Sequence, residues 1–237
     1  MQFSDTTNNN GLIQECERTI FSKYGSISGN TARLQEFTSL LNQGLDETAT
    51  DIMEVDRNWK WDDVNHGDIP IATTNIVSGQ GDYLTDVAFL KIQKVELKDS
   101  NGNESVLKDV KEVEQGVSFE EMFSSEGTPE YYDMNGSSTT LYPAPNYDYT
   151  EGLTIHYQRT FDHFTTSDTT QSPGCPSIFH SLIYFRACYK YAFANQMDLA
   201  VSLEKEIYKY VEKLRKFMPR RNPWGRNKLL PKYKSSK

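Results

Sequence analysis

The sequence predicts an α+β fold: a helical bundle made from N- and C-terminal helices, an inserted antiparallel β-rich domain, and an extended C-terminal tail. Three observations predict it. Apolar residues recur at three- and four-residue steps near both ends, the spacing of one helix face. Between those ends the period falls to two, and Asn-Gly and Gly-rich turns punctuate the chain. After Glu212 the acidic residues stop and basic ones continue to the C-terminus.

The elements follow in order. Residues 1–10 are polar, with no apolar signal region, and are expected to be a flexible arm. A first helix is predicted over Gly11 to Tyr24, with Ile13, Cys16, Ile20 and Tyr24 on one face. Gly25 to Asn30 breaks it, and Thr31 is placed to cap a longer helix by accepting from its free N–H groups. The stripe of that helix is Leu34, Phe37, Leu41, Leu45, Thr48, Ile52, Val55 and Trp59, with Gly44 a weak point costing about 1 kcal/mol against Ala.

The pattern changes after Trp61. Ile71 to Val77 reads as a strand, Ser78 to Gly81 as a turn, and Asp82-Tyr83-Leu84 as extended. From Phe89 to Leu97 the apolar parity shifts from even positions (Leu90, Ile92) to odd ones (Val95, Leu97), which calls for a bulge or for burial of both faces. Asp99 to Gly102 is a hairpin turn, with Val106-Leu107 returning. Ser118-Phe119-Glu120-Glu121 is a capping-box pattern for a short helix. Tyr131 to Asn135 and Ser138 to Tyr142 read as strands joined at Asn135-Gly136. Pro143 and Pro145, which lack an N–H, should end that ladder. Leu153, Ile155 and Tyr157 share one face of a last strand.

Pro176 suits the first turn of a helix over Ile178 to Ala194 that is apolar nearly all round, hence buried in its own core or against another subunit. A last helix over Gln196 to Met218 carries Ala200, Leu203, Ile207, Val211, Leu214 and Phe217, and Pro219 should end it. The predicted domains are therefore a flexible arm (1–10), a bundle (11–60 with 176–218), a β-rich insertion (61–175) and a basic extension (219–237).

Composition narrows the function. No apolar run reaches membrane-spanning length. Cys16, Cys175 and Cys188 are odd in number and far apart, which argues against a disulfide scaffold and suits a reducing interior. Ten of the 25 basic side chains lie after Glu212, while all 33 acidic ones lie before position 213. An acidic body with a basic end concerns partners.

Chemistry is sparse. His66, His156, His163 and His180 show no metal-ligand spacing, and a pair of His156 with His163 is less expected than polar strand and loop residues. Gly79-Gln80-Gly81 lacks the rest of a nucleotide loop, and Cys175 with His180 lacks a third group. Acid pairs such as Glu120-Glu121 and Asp62-Asp63 are expected by chance in so acidic a chain. No catalytic, cofactor-binding or metal-binding residue is therefore expected, and the chain reads as a non-enzyme. The tyrosines 131, 132, 142, 147, 149 and 157 read first as core or interface. The alternative they leave is a carbohydrate- or receptor-binding β module. In the tail, Trp224, Leu229, Leu230 and Tyr233 interleave with the basic residues, as in a segment that folds onto an acidic partner surface.

The order Ile69-Pro70, Thr73-Thr74, Ser78 to Tyr83, Ile92 to Leu97 and Asn101-Gly102 resembles the head-to-tail adaptor (connector) proteins of tailed bacteriophages. So does Pro129-Glu130-Tyr131-Tyr132 through Leu141 to Pro145 and on to Leu153 to Tyr157, followed by the aromatic-rich helix. The resemblance implies a structural virion protein in a dodecameric ring, between the portal protein and a tail or second adaptor (nozzle) protein. DNA would pass through the ring without sequence-specific binding. It implies a location at the head-tail junction of the virion, reached from the host cytoplasm during assembly, with no membrane and no cofactor. The portal contact then falls on Arg220, Arg221, Trp224, Arg226, Lys228, Leu229, Leu230 and Tyr233. The ring contact falls on Phe179, Phe185 and Tyr189.

Overall fold

Helices occupy both ends of the chain and strands its middle, an α+β arrangement, in a computed structural model that describes residues 1–56, 70–85, 90–110 and 126–221, with backbone alone over 219–221. The described residues divide into two units. One is drawn from positions up to 66 and from 161 onward, the other from positions 67–160.

In the helical unit, α1 (Leu12–Cys16) runs into a single π-turn, Glu17–Phe21, and stops at Ser22 in the left-handed region (φ 51°). The predicted helix to Tyr24 is thus cut short, and Tyr24 is exposed. The cause is Glu17. Its carboxylate is fully buried and accepts from the N–H groups of Gly25 (2.9 Å), Ile27 (2.8 Å) and Ser28 (2.7 Å) and from the Ser28 hydroxyl (2.8 Å). Burial alone would push this carboxyl up. The three backbone N–H groups and the hydroxyl outweigh it and hold the carboxyl below the usual range.

Residues 1–10 depart from the expected flexible arm. Phe3 is fully buried and stacks on Phe164 at 4.9 Å, while its N–H donates to the Gln171 carbonyl (2.7 Å). The carbonyls of Gln2 and Phe3 accept from the N–H groups of Leu12 and Ile13, two donors that the first turn of α1 cannot satisfy internally. One aromatic in a polar decapeptide is enough to anchor it.

Helix α2 (Thr31–Val55) buries the predicted stripe of Phe37, Leu41, Leu45, Thr48 and Ile52. Its cap is Asn30, which accepts from the Arg33 N–H (3.1 Å), and Thr31 is the first helical residue. Trp59, at the end of the predicted stripe, lies outside the described residues. Gly44 is no defect: a Cβ there would stand 2.7 Å from the Ile183 carbonyl oxygen, so its bare backbone lets α2 approach the partner helix closely.

That partner is α3 (His180–Asn195), preceded by the 3₁₀ turn Ser177–Phe179, for which Pro176 is the N-cap. It buries Leu182, Ile183, Tyr184, Ala187, Cys188 and Ala192. It also buries Arg186, which the apolar reading of this helix passed over. The guanidinium donates from Nη1 to Thr48 Oγ1 (3.0 Å), pairs through Nη2 with Asp51, and lies 3.5 Å from Glu47. The last helix, α4 (Met197–Arg221), packs Ala200, Leu203, Leu214 and Met218 into the same core.

The strands of the second unit are β1 (Ile71–Ile76), β2 (Asp82–Leu84), β3 (Lys91–Lys98), β4 (Glu104–Val106), β5 (Lys108–Asp109), β6 (Glu126–Gly127), β7 (Tyr131–Asn135), β8 (Ser138–Tyr142), β9 (Ala144–Pro145) and β10 (Tyr149–Gln158). One sheet has the order β1-β10-β3-β4 and is antiparallel throughout. A second has the order β2-β8-β7-β5, and a two-stranded pair joins β6 to β9. The β5·β7 and β6·β9 pairings are parallel, an exception to the antiparallel expectation. Ile76, Val95, Leu97, Leu153 and Ile155 of the first sheet form one cluster with Tyr83 and Leu141 of the second.

The parity shift before Leu97 is a bulge. His156 pairs with Lys94 but Tyr157 with Ile92, leaving Gln93 as the extra residue. Gly102 (φ 83°) and Gly136 (φ 65°) supply the positive φ that the two hairpins need. The β8 ladder stops at Tyr142, before Pro143 as expected. Ala144 and Pro145 still make the short bridge to β6. Phe89 and the predicted helix at Ser118 lie outside the described residues.

Two outcomes test this packing. Gly44→Ala gains about 1 kcal/mol of helix propensity, yet overpacking against the Ile183 carbonyl costs about 1–3 kcal/mol. The variant is expected to melt lower than the parent in a thermal scan; a higher melting temperature would contradict the close approach. Glu17→Gln turns an amide toward N–H donors that then lose acceptors, at a cost of about 1–3 kcal/mol near neutral pH. The folded-state carboxyl of Glu17 is depressed below its ordinary value near 4.5, so its contribution is complete above that value and is lost as pH falls through the folded one. Urea titrations should therefore show the parent and Glu17→Gln converging in stability as pH drops below about 4.5.

Candidate assembly surfaces

Helix α4 carries two apolar faces. The buried one is the predicted stripe. The second consists of Met197, Val201 and Tyr208, four and eleven residues apart, which places them within about 40° of one another around the helix. All three are exposed, Tyr208 at 67%. Phe193, near the end of α3, is 58% exposed and leans on Tyr189 at 6.1 Å. Exposed large apolar side chains in such number mark a surface to be covered.

Toward its C-terminal end, α4 and the 3₁₀ turn border a groove of about 540 Å³ lined by Ile178, Phe179, Tyr210, Lys213, Lys216 and Phe217. Phe179 packs edge-on against Phe217 at 5.5 Å and forms the floor. The Lys213 ammonium sits 4.6 Å from the centre of the Tyr210 ring. The groove thus offers an apolar floor with two ammonium groups beside it.

These placements revise the predicted ring residues. Phe179 is 2% exposed and belongs to the chain's own core, so it offers a neighbour only the edge that lines the groove. Phe185 is half-buried between Tyr184 (4.5 Å) and Tyr210 (5.6 Å), and Tyr189 is half-buried beside Phe193. On the 3₁₀ turn and the last two helices, the open apolar surface lies instead on Ile178, Phe193, Met197, Val201, Tyr208 and Phe217. The signal was in the sequence as a second stripe on α4, masked by the stronger one.

Of the predicted portal-binding residues, Arg220 and Arg221 end α4, which runs two residues past Pro219 rather than stopping there. Trp224, Arg226, Lys228, Leu229, Leu230 and Tyr233 lie outside the described residues.

Among the described residues, the histidines, cysteines and glycine weighed for chemistry have the following partners. His156 Nε2 meets Glu96 on β3 at 2.6 Å, whereas His163 Nε2 meets Asp46 on α2 at 2.9 Å, so each histidine has its own carboxylate. His180 Nε2 donates to the Cys175 backbone carbonyl (3.0 Å), and not to its thiol. Burial, with the Met1 amino group 2.9 Å away, lowers the His180 pKa to about 4, so the ring is neutral near pH 7. Burial pushes the Cys16 thiol up, with Cys188 beside it. Gly79 turns the chain with φ 77° and donates to the Pro145 carbonyl (2.7 Å). Glu120-Glu121 and Asp62-Asp63 lie outside the described residues.

None of the seven tyrosines of the sheet unit, Tyr83 among them, is exposed. Tyr132, Tyr147 and Tyr149 pack against its core, and Tyr142, beside the groove lined by Asp82, Asn135 and Thr140, is buried. They present no open aromatic platform for a sugar ring. Among the described residues no three His, Cys, Asp or Glu converge as a metal site would require, and no helix is long and apolar enough to cross a membrane.

Compared with models of known protein families, residues 5–226 match the family described as SU10 adaptor protein. No curated protein matches the chain.

Proposed function

Because the chain belongs to the SU10 adaptor protein family, and so has the structural role of a phage adaptor and virion component, we propose that it forms a ring joining the portal vertex of the capsid to the tail and lining the DNA channel. The observation that carries this reading is the family match over nearly the whole chain. The charge layout and the exposed apolar faces support its finer parts. Before position 213 the chain holds 33 acidic side chains against 15 basic ones. Copies arranged around a channel with that surface would repel duplex DNA and let it slide without sticking. The apolar stripe of α4 and the neighbouring Phe193 are surfaces that a ring neighbour or a tail protein would cover.

The portal contact belongs to the basic extension. It holds Trp224, Leu229-Leu230 and Tyr233 as anchors among cationic side chains, and no acidic ones. Such a segment binds a groove on an acidic partner by apolar insertion, with charge steering its approach. The sheet unit, as an insertion between the two halves of the helical bundle, faces ring neighbours or the tail components below. The ring is dodecameric in this reading, with a second adaptor or nozzle protein beneath it.

The extension is testable by removal. A chain ending at Arg221 keeps α4 whole and is expected to unfold at the same temperature as the full chain. Its association with isolated portal rings, measured by co-sedimentation, should weaken at least about tenfold, equivalent to about 1.4 kcal/mol. Unchanged association would remove the portal role from the extension.

A further inference from the structure

We propose that neighbouring copies in the ring are joined strand to strand, the outer edge of β1 in one copy pairing antiparallel with the outer edge of β4 in the next. The proposal rests on the ring reading and assigns it an interface. In the sheet β1-β10-β3-β4, β1 and β4 are the two edges, and among the described residues neither has a second neighbour. Natural edge strands are blunted by charge, proline or early bulging. Ile71 to Thr74 carries no charge and no proline, and is rich in β-branched residues. The bulge of β1 comes only after Thr74.

The ladder fixes which backbone groups point outward. The Tyr157 N–H donates to the Pro70 carbonyl, so 70/157, 72/155 and 74/153 are the hydrogen-bonded pairs of β10 with β1. Ile71 and Thr73 therefore turn their N–H and C=O groups away from the sheet. At the opposite edge, Leu107 donates to Val95 and Asp99 to Asn103, so Ser105 faces β3 while Glu104 and Val106 face outward. Each edge thus presents two residues in alternate positions.

Strand direction and side-chain parity agree. Four alternating strands leave β1 and β4 running in opposite directions, so a copy of the same orientation placed alongside brings β4 antiparallel to β1. Setting Ile71 opposite Val106 also sets Thr73 opposite Glu104, and both become hydrogen-bonded pairs. In register, Ile71 aligns with His156 and Lys94, and Val106 with Glu96 and Thr154. Both residues therefore sit on the same face, the one opposite to Val95, Leu97, Leu153 and Ile155. Ile71 is 38% exposed and Val106 56% exposed, an apolar pair with partners to gain. A slip of one residue would set Ile71 against a position whose N–H and C=O already serve β3. The contact is head-to-tail, the kind that closes into a ring when its rotation permits.

Crosslinking in assembled particles tests this. Hydrogen-bonded antiparallel pairs hold their Cα atoms about 5.5 Å apart, within the span a disulfide accepts. The three native cysteines are buried and stay out of the reaction. Particles carrying full-length chain with Ile71→Cys and Val106→Cys together are oxidised, run on non-reducing gels and imaged. The expected result is loss of the monomer band into a ladder of multimers, with rings visible and with each single variant folded but remaining monomeric on the gel. Rings without a ladder would overturn the strand pairing and leave the ring intact. Absence of rings would overturn both, and a crosslink to a protein of different mass would overturn the choice of a second copy as partner.

Discussion

The helical unit depends on the close contact of α2 with α3. Gly44 has no side chain where a Cβ would meet the Ile183 carbonyl, and one and two helical turns farther on Thr48 and Asp51 hold the buried Arg186 guanidinium. The two features need each other. A side chain at position 44 would push the helices apart, and Arg186 would then lose partners in a place where an unpaired charge is costly. The contact joins residues separated by 138 positions, which is how both ends of the chain come to share one core. The residues between them build a separate core of their own.

An assembly protein has to leave part of its apolar surface unused by its own fold. Here that surface is specific. It includes the second face of α4, the end of α3, and the groove where Phe217 and Ile178 stand beside two lysines. Among the described residues the first sheet leaves two edges as well, with hydrogen-bonding groups in matching alternation. Buried histidine and cysteine serve the core, and the tyrosines of the sheet unit close its own interior. The structure thus places its apolar and hydrogen-bonding surplus where neighbouring protein chains can use it.

Periodicity made the elements legible where one face of one element decides burial. The α2 stripe and both Gly-bearing hairpins could be read from spacing, and the bulge before Leu97 as one of two alternatives that its parity shift left. What escaped the sequence were contacts between distant residues. Nothing local marks Arg186 as buried, because its partners lie on another helix. Glu17 looked like one more acid in an acidic chain until the 25–28 loop closed over it, and Phe3 looked solvated until Phe164 and Gln171 were beside it. The family order of short motifs was legible. The assembly surface was only partly so: Phe179 was assigned to a neighbour by composition, and three-dimensional packing spends it inside the chain.

The central claim is that this chain is a ring-forming component between portal and tail. Cryo-electron microscopy of the head-tail junction of intact virions tests it most directly. The account predicts a closed ring of this chain, with the C-terminal extension reaching the portal and an acidic inner wall around the DNA path. Finding this chain away from the junction, for instance on a receptor-binding tail appendage, would contradict it.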